Sequence, residues 1–114
     1  MPLSIINSPQ STKFSVLEVG MDKKGEIDTL TKLIRPNLGL ITNISYAHIK
    51  NFRNLDEIAK AKGEIINNIS PSGVMIINKD DKYCNYFISK AKMRNLNIIT
   101  FSKFRMLFCL FGLL

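Results

Sequence analysis

Few residues in this sequence have both the type and the setting for chemistry, and they recur at one kind of place. Glu18 stands near the end of a β-branched and aromatic run, Lys13 to Val19 (KFSVLEV). His48, the sole histidine, follows the apolar run Leu38 to Ile44 (LGLITNI) by a few residues. Asn78 and Asp80 come just after a third run, Val74 to Ile77 (VMII). In an open parallel sheet, ligands bind at the carboxyl ends of the strands, so a carboxylate, an imidazole and an Asn-Asp pair can converge on one edge. That set suits Mg²⁺ and phosphate chemistry. Each has a plain structural reading beside it: a solvated or salt-bridged glutamate, a satisfied histidine, and aspartates at 80 and 81 that only cap a helix.

Lys62 is the sharper signal. Leu55, Ile58, Ala59, Lys62, Ile66 and Ile69 fall on one helical face, so a lysine interrupts a stripe that otherwise faces a core, whereas Lys60 points away. A lysine there must snorkel out, pair with a carboxylate or lose its charge. A neutral amine is a nucleophile that can react with carbon dioxide to give a carbamate, an anion able to ligate Mg²⁺. A lysine snorkelling at the edge of the stripe is the structural alternative.

The elements that must position these residues alternate in type. Lys13 to Val19 reads as a strand, punctuated by Gly20. Glu26 to Ile34 carries Ile27, Leu30, Leu33 and Ile34 at helical spacing, and Pro36 stops it. Leu38 to Ile44 is a continuous apolar run of the kind buried on both faces. A helix is expected from about Leu55 to Ile69, with Asn54 as N-cap and Glu57 in the capping-box position. Pro71 and Gly73 turn into the strand Val74 to Ile77. Asp80 or Asp81 then caps a helix to about Asn95, and Asn97 to Phe101 (NIITF) is a last strand. Strand and helix in alternation are the α/β signature. Right-handed crossovers lay such strands parallel, giving a partial, mostly parallel sheet flanked by helices.

Composition narrows the function classes. The 114 residues make one small domain, and 46% hydrophobic with 22% charged residues is ordinary globular composition. A net charge of +7 raises nucleic acid as a partner, but the basic residues are scattered from Lys13 to Lys103 with no aromatics among the tightest cluster, Lys90, Lys92 and Arg94. Cys84 and Cys109 stand far apart without a CxxC, which is neither a disulfide framework nor a zinc site. The apolar run Met106 to Leu114 is far shorter than the ~20 residues of a membrane-spanning helix, and no signal-peptide layout opens the sequence. A reducing cytoplasm is the default compartment, with no membrane partner. No GxxxxGK[ST] phosphate loop and no GxGxxG occur, and no Ser/His/Asp or Cys/His nucleophile arrangement suggests itself.

From Val16 to Ile65 the sequence resembles the middle of the central, ATP-binding domain of the Mur ligases. Gly25-Glu26-Ile27, seven residues after Glu18, resembles the MurF-type branch in particular, and the ITNISYAHI and AKAKGEI segments fit at the same separation. Gly73 to Asp81 (GVMIINKDD) resembles the strand and Asn-x-Asp-Asp turn that follow, and Pro2-Leu3 the short segment that precedes. The likeness covers about residues 1–103. Phe104 to Leu114 (FRMLFCLFGLL) looks unlike the family, and a frameshifted or read-through tail is the simplest expectation for it.

The resemblance implies an ATP-dependent amide ligase that adds D-alanyl-D-alanine to UDP-muramoyl tripeptide in peptidoglycan synthesis. ATP phosphorylates the substrate carboxylate, and the dipeptide amine attacks the acyl phosphate. It implies Glu18 and His48 as Mg²⁺ ligands, His48 near the acyl phosphate, and Lys62 as the lysine that is carbamylated in several Mur ligases. Asn78 and Asp80 would be cofactor-binding. Without the phosphate loop or the family's N- and C-terminal domains, the expectation is a piece of the parent enzyme, inactive alone, with an upstream chain as the candidate complementing partner. The alternative is a small basic module that binds nucleic acid or protein without catalysis.

Overall fold

Helix α1 (Glu26–Ile34) forms over the range its spacing implies. Gly25 precedes it at φ 90°, where a side chain is strained. Arg35 ends it in the left-handed region, and its N–H donates to the Thr31 carbonyl at 2.8 Å. One face differs from the expected stripe. Leu33 is 72% exposed, while Thr31 is buried with its hydroxyl satisfied by the Ile27 carbonyl at 2.7 Å.

The computed structural model describes residues 7–46, 50–103 and 109–111. After α1 come β1 (Leu38–Ile41), α2 (Leu55–Lys62), a 3-10 helix (Gly63–Asn68), β2 (Val74–Asn78), α3 (Cys84–Met93), β3 (Asn97–Phe101) and β4 (Cys109–Phe111). The sheet runs in the order β1-β2-β3-β4. β1 with β2 and β2 with β3 are parallel, while β4 returns antiparallel to β3, pairing Ile99 with Leu110. The chain is therefore α/β with a mostly parallel sheet. Among the described residues, no helix is long and apolar enough to cross a membrane.

Asn54 caps α2 as its sequence position implies. Its Oδ1 accepts the Glu57 N–H at 3.0 Å, and Glu57 Oε2 reaches back to the Arg53 N–H at 2.8 Å. Replacing Asn54 by alanine is expected to cost about 1 kcal/mol, read as a lowered urea midpoint with an unchanged m-value. The helix beyond is shorter than its apolar spacing suggests. At Gly63 the backbone tightens to 3-10, and a Cβ there would stand 3.3 Å from the Phe87 ring. The absent side chain is what lets α3 approach.

The core lies on one face of the sheet. Ile41, Met75, Ile77 and Ile98 meet Ala59, Ile66, Phe87 and Ala91 from the helices, and Ile69 and Leu96 from the turns that follow them. On the opposite face Leu38 and Leu40 are 51% and 48% exposed, and Ile76 and Ile99 are half-buried. The expectation that the first of these strands is buried on both faces is thus corrected: β1 alternates, with only Gly39 and Ile41 buried. No described helix covers its other side.

The larger correction concerns Lys13 to Val19. This segment is not a strand, and Phe14 and Val16 are 90% and 98% exposed. β-propensity reflects packing and pairing on a sheet, and among the described residues no strand ladder includes it.

Candidate functional site

The carboxyl ends of β1 and β2 are tied together by polar side chains. Asn78, closing β2, donates its amide to the Thr42 carbonyl at 2.9 Å and accepts the Asp80 N–H at 2.9 Å. Asp81 accepts the Ile44 N–H at 2.8 Å through Oδ2 and the Tyr83 N–H at 2.8 Å through Oδ1. Asp80 accepts the Ser102 hydroxyl at 2.7 Å and the Lys103 N–H at 2.5 Å, and these bonds hold its carboxyl below the usual carboxylate range. The Asn-x-Asp-Asp turn therefore fixes three chain segments at one edge.

Lys62 sits at the end of α2, half-buried, and donates from Nζ to the Asn43 carbonyl at 3.1 Å. Of the three fates open to a lysine on this stripe, it extends to the carboxyl edge and finds a carbonyl. Asn43 lies between β1 and the segment leading to His48. His48 itself falls outside the described residues. Glu18 is exposed, between half-buried Leu17 and Val19. The edge thus gathers Lys62, Asn78 and Asp80, while Glu18 stands in a segment that does not join the sheet.

A cavity of about 330 Å³ opens beside this edge, lined by Lys79, Lys82, Asn85 and Thr100 among others. The buried Thr100 hydroxyl has no hydrogen-bond partner among the described residues. With the Asp81 carboxylate, Cys84 and Ile88 also in its lining, the cavity has mixed polar and apolar walls. Among the described residues, no three His, Cys, Asp or Glu side chains gather around a metal-sized point. Mg²⁺ commonly takes one or two carboxylates with substrate phosphates rather than an all-protein cage, and a single glutamate such as Glu18 suits that habit.

Glu64 was not among the residues the sequence singled out. It is 8% exposed, and its carboxylate accepts the Gly25 N–H at 2.9 Å and the Asp28 N–H at 3.1 Å. It thereby satisfies the amino end of α1 from 39 residues away. The switch to 3-10 geometry after Lys62 changes which residues face inward, so α-helical counting hid it. The same region holds Asp28, whose carboxyl is brought down to about 2 by Lys32 first, then by Asn67 and Asn68. A depressed carboxyl stabilises the fold above its ordinary value of 3.8, and that stabilisation is lost as pH falls toward 2. Asp28→Asn is expected to melt lower than the parent near neutral pH. The gap should close as pH is taken down through this window, measured by circular dichroism.

A mostly parallel open sheet with polar side chains tied together at its carboxyl edge defines an α/β domain of the kind whose ligands bind at that edge. Residues 1–105 match the Mur ligase middle domain. The chain belongs to the Mur ligase family. The UDP-N-acetylmuramoyl-tripeptide--D-alanyl-D-alanine ligase of Borreliella burgdorferi is 38% identical over 99 residues, covering 86% of this chain and 21% of the relative. The ligase of the same name from Bacillus subtilis is 42% identical over 81 residues, covering 71% of this chain and 18% of the relative. A crystal structure of MurF from Acinetobacter baumannii superposes with TM-score 0.82 at 31% identity, over 87% of this chain and 21% of that one. The chain thus spans about a fifth of the length of the proteins it is similar to.

Proposed function

We propose that this chain contributes the carboxyl edge of the ATP site in a ligase that adds D-alanyl-D-alanine to UDP-muramoyl tripeptide, and that it does not turn over alone. The observation that carries the reading is Lys62, placed by α2 at the strand ends with its amine on the Asn43 carbonyl. In this reading Lys62 serves as a carbamate or as a cation beside the acyl phosphate. Asn78 and Asp80 shape the nucleotide subsite, and Glu18 and His48 hold Mg²⁺. The metal would neutralise charge on the transferring phosphoryl group. Residues 1–114 contain no phosphate loop, so in this reading the loop comes from a part of the ligase outside them.

The test is phosphate release from ATP with UDP-muramoyl tripeptide and D-alanyl-D-alanine. It is run on the chain alone, then with the portions of the Borreliella burgdorferi relative that flank the matched stretch. Release only in the mixture is the expected result. Release by the chain alone would overturn its dependence on a supplied loop, and none in a mixture that does assemble would overturn the ligase reading.

A further inference from the structure

The amino edge of the sheet, opposite the edge that gathers Lys62, Asn78 and Asp80, carries a cavity of its own. It measures about 420 Å³ and lies where three connections meet: the end of α1 before β1, the turn before β2 and the end of α3 before β3. Lys32, Arg35, Asn67, Asn68, Ser70 and Arg94 supply its polar lining, and Ile69 and Pro71 an apolar wall. No carboxylate lines it among the described residues. β1 and β2 run parallel, so their lengths set this cavity roughly 15 Å from the carboxyl edge.

Cations at the ends of helices have an ordinary role, since they offset the partial charge of the last carbonyls. That role accounts for part of the set. Lys32 Nζ pairs with the Asp28 carboxylate at 2.7 Å, and that carboxylate also accepts from the Asn67 and Asn68 amides. Arg94 donates from Nη1 to the Ile66 and Ile69 carbonyls at 2.6 and 3.1 Å. Its Nη2 and Nε have no hydrogen-bond partner among the described residues. Arg35 is left over. Its side chain makes no hydrogen bond or ion pair among the described residues. It also stands at φ 48°, a left-handed position where glycine or asparagine costs less. The cavity therefore presents two guanidinium groups with no carboxylate in its described lining to offset them.

We propose that this cavity is a binding site for a small phosphorylated molecule, a phosphate monoester or diphosphate, held by Arg35 and Arg94. A guanidinium meets two phosphate oxygens at once through parallel N–H donors, and Arg94 is already positioned by its two carbonyl bonds. Asp28 takes up the charge of Lys32, so the arginines rather than a diffuse field recognise the anion. The volume falls in the range of small-ligand sites. It leaves space beyond the phosphate for an organic group against Ile69 and Pro71. None of these residues lies at the carboxyl edge, so the site stands independently of the ligase reading.

The probe is inorganic pyrophosphate, titrated into the isotope-labelled chain at low salt and followed by NMR shifts of the backbone amides. Saturable shifts are expected at Arg35, Ser70, Ser72 and Arg94, with a Kd below about 1 mM that weakens severalfold when salt is raised to about 0.15 M. Arg35→Gln should weaken binding at least about tenfold. Its melt should stay within about 1 °C of the parent, because the residue is exposed. Arg94→Gln should weaken binding too but also lower the melt, since it releases two carbonyls; Arg35→Gln therefore decides the matter. Unchanged affinity in Arg35→Gln overturns the proposal, as do shifts confined to residues 78–81 at the carboxyl edge. Shifts that still grow linearly at about 20 mM pyrophosphate overturn it in favour of diffuse charge. Saturable binding of a single-stranded RNA at the same amides, with none of pyrophosphate, overturns it in favour of a nucleic-acid surface.

Discussion

Phe87→Ala is expected to leave this chain without a cooperative unfolding transition at physiological temperature. Phe87 is fully buried, lies among Ala59, Ile66, Ile77 and Ile98, and tilts against Tyr86 at 5.3 Å between ring centroids. It also fills the space that Gly63 leaves open at the α2 turn. Removing a buried phenylalanine ring costs roughly 3–5 kcal/mol, because the transfer term and the residual cavity add. A small domain holds only about 5–15 kcal/mol in total. With one sheet face bare, this chain belongs at the low end of that range. Urea titration followed by circular dichroism reads the change. A cost under about 1 kcal/mol would mean that the core is loosely packed at α3, and would undo the account of Gly63 as a close-approach position.

Lys62→Ala is expected to lower phosphate release in the reconstituted mixture at least about a hundredfold, with little change in the melt. The two effects separate because the amine makes one bond, to the Asn43 carbonyl at the edge of the fold. A hydrogen bond of that kind contributes on the order of 1 kcal/mol or less net. Lys62→Arg distinguishes the chemistry. A guanidinium keeps the positive charge but does not form a lysine carbamate, so rescue by arginine points to a cation beside the phosphoryl group. Failure of arginine, together with sensitivity of the parent to removal of bicarbonate, points to the carbamate. Full activity in Lys62→Ala would remove the residue from the site.

Periodicity and end signals were enough to locate α1, β2 and β3, because each is specified by its own residues. Ile27 with Pro36 bounds the helix, and the apolar runs VMII and NIITF are short, continuous and flanked by turn residues. The Asn54 cap was legible for the same reason, since donor and acceptor lie three residues apart. Lys62 stood out because a charge on an apolar stripe violates a local pattern. Its partner, the Asn43 carbonyl, is 19 residues away, and nothing local names it.

What the sequence determined by itself was the α/β alternation, Asn78 and Asp80 at the end of β2 and the family resemblance, all readable within windows of a few residues. Only the tertiary structure decided which of those segments join the sheet. Lys13 to Val19 has strand composition and no ladder, because pairing needs a second strand at the right distance and composition cannot supply one. Only the structure, likewise, revealed Glu64 on the amino end of α1, an interaction created by a 3-10 turn and by packing across 39 residues. It also decided that β1 buries one face rather than both, since burial depends on whether something lies above a strand.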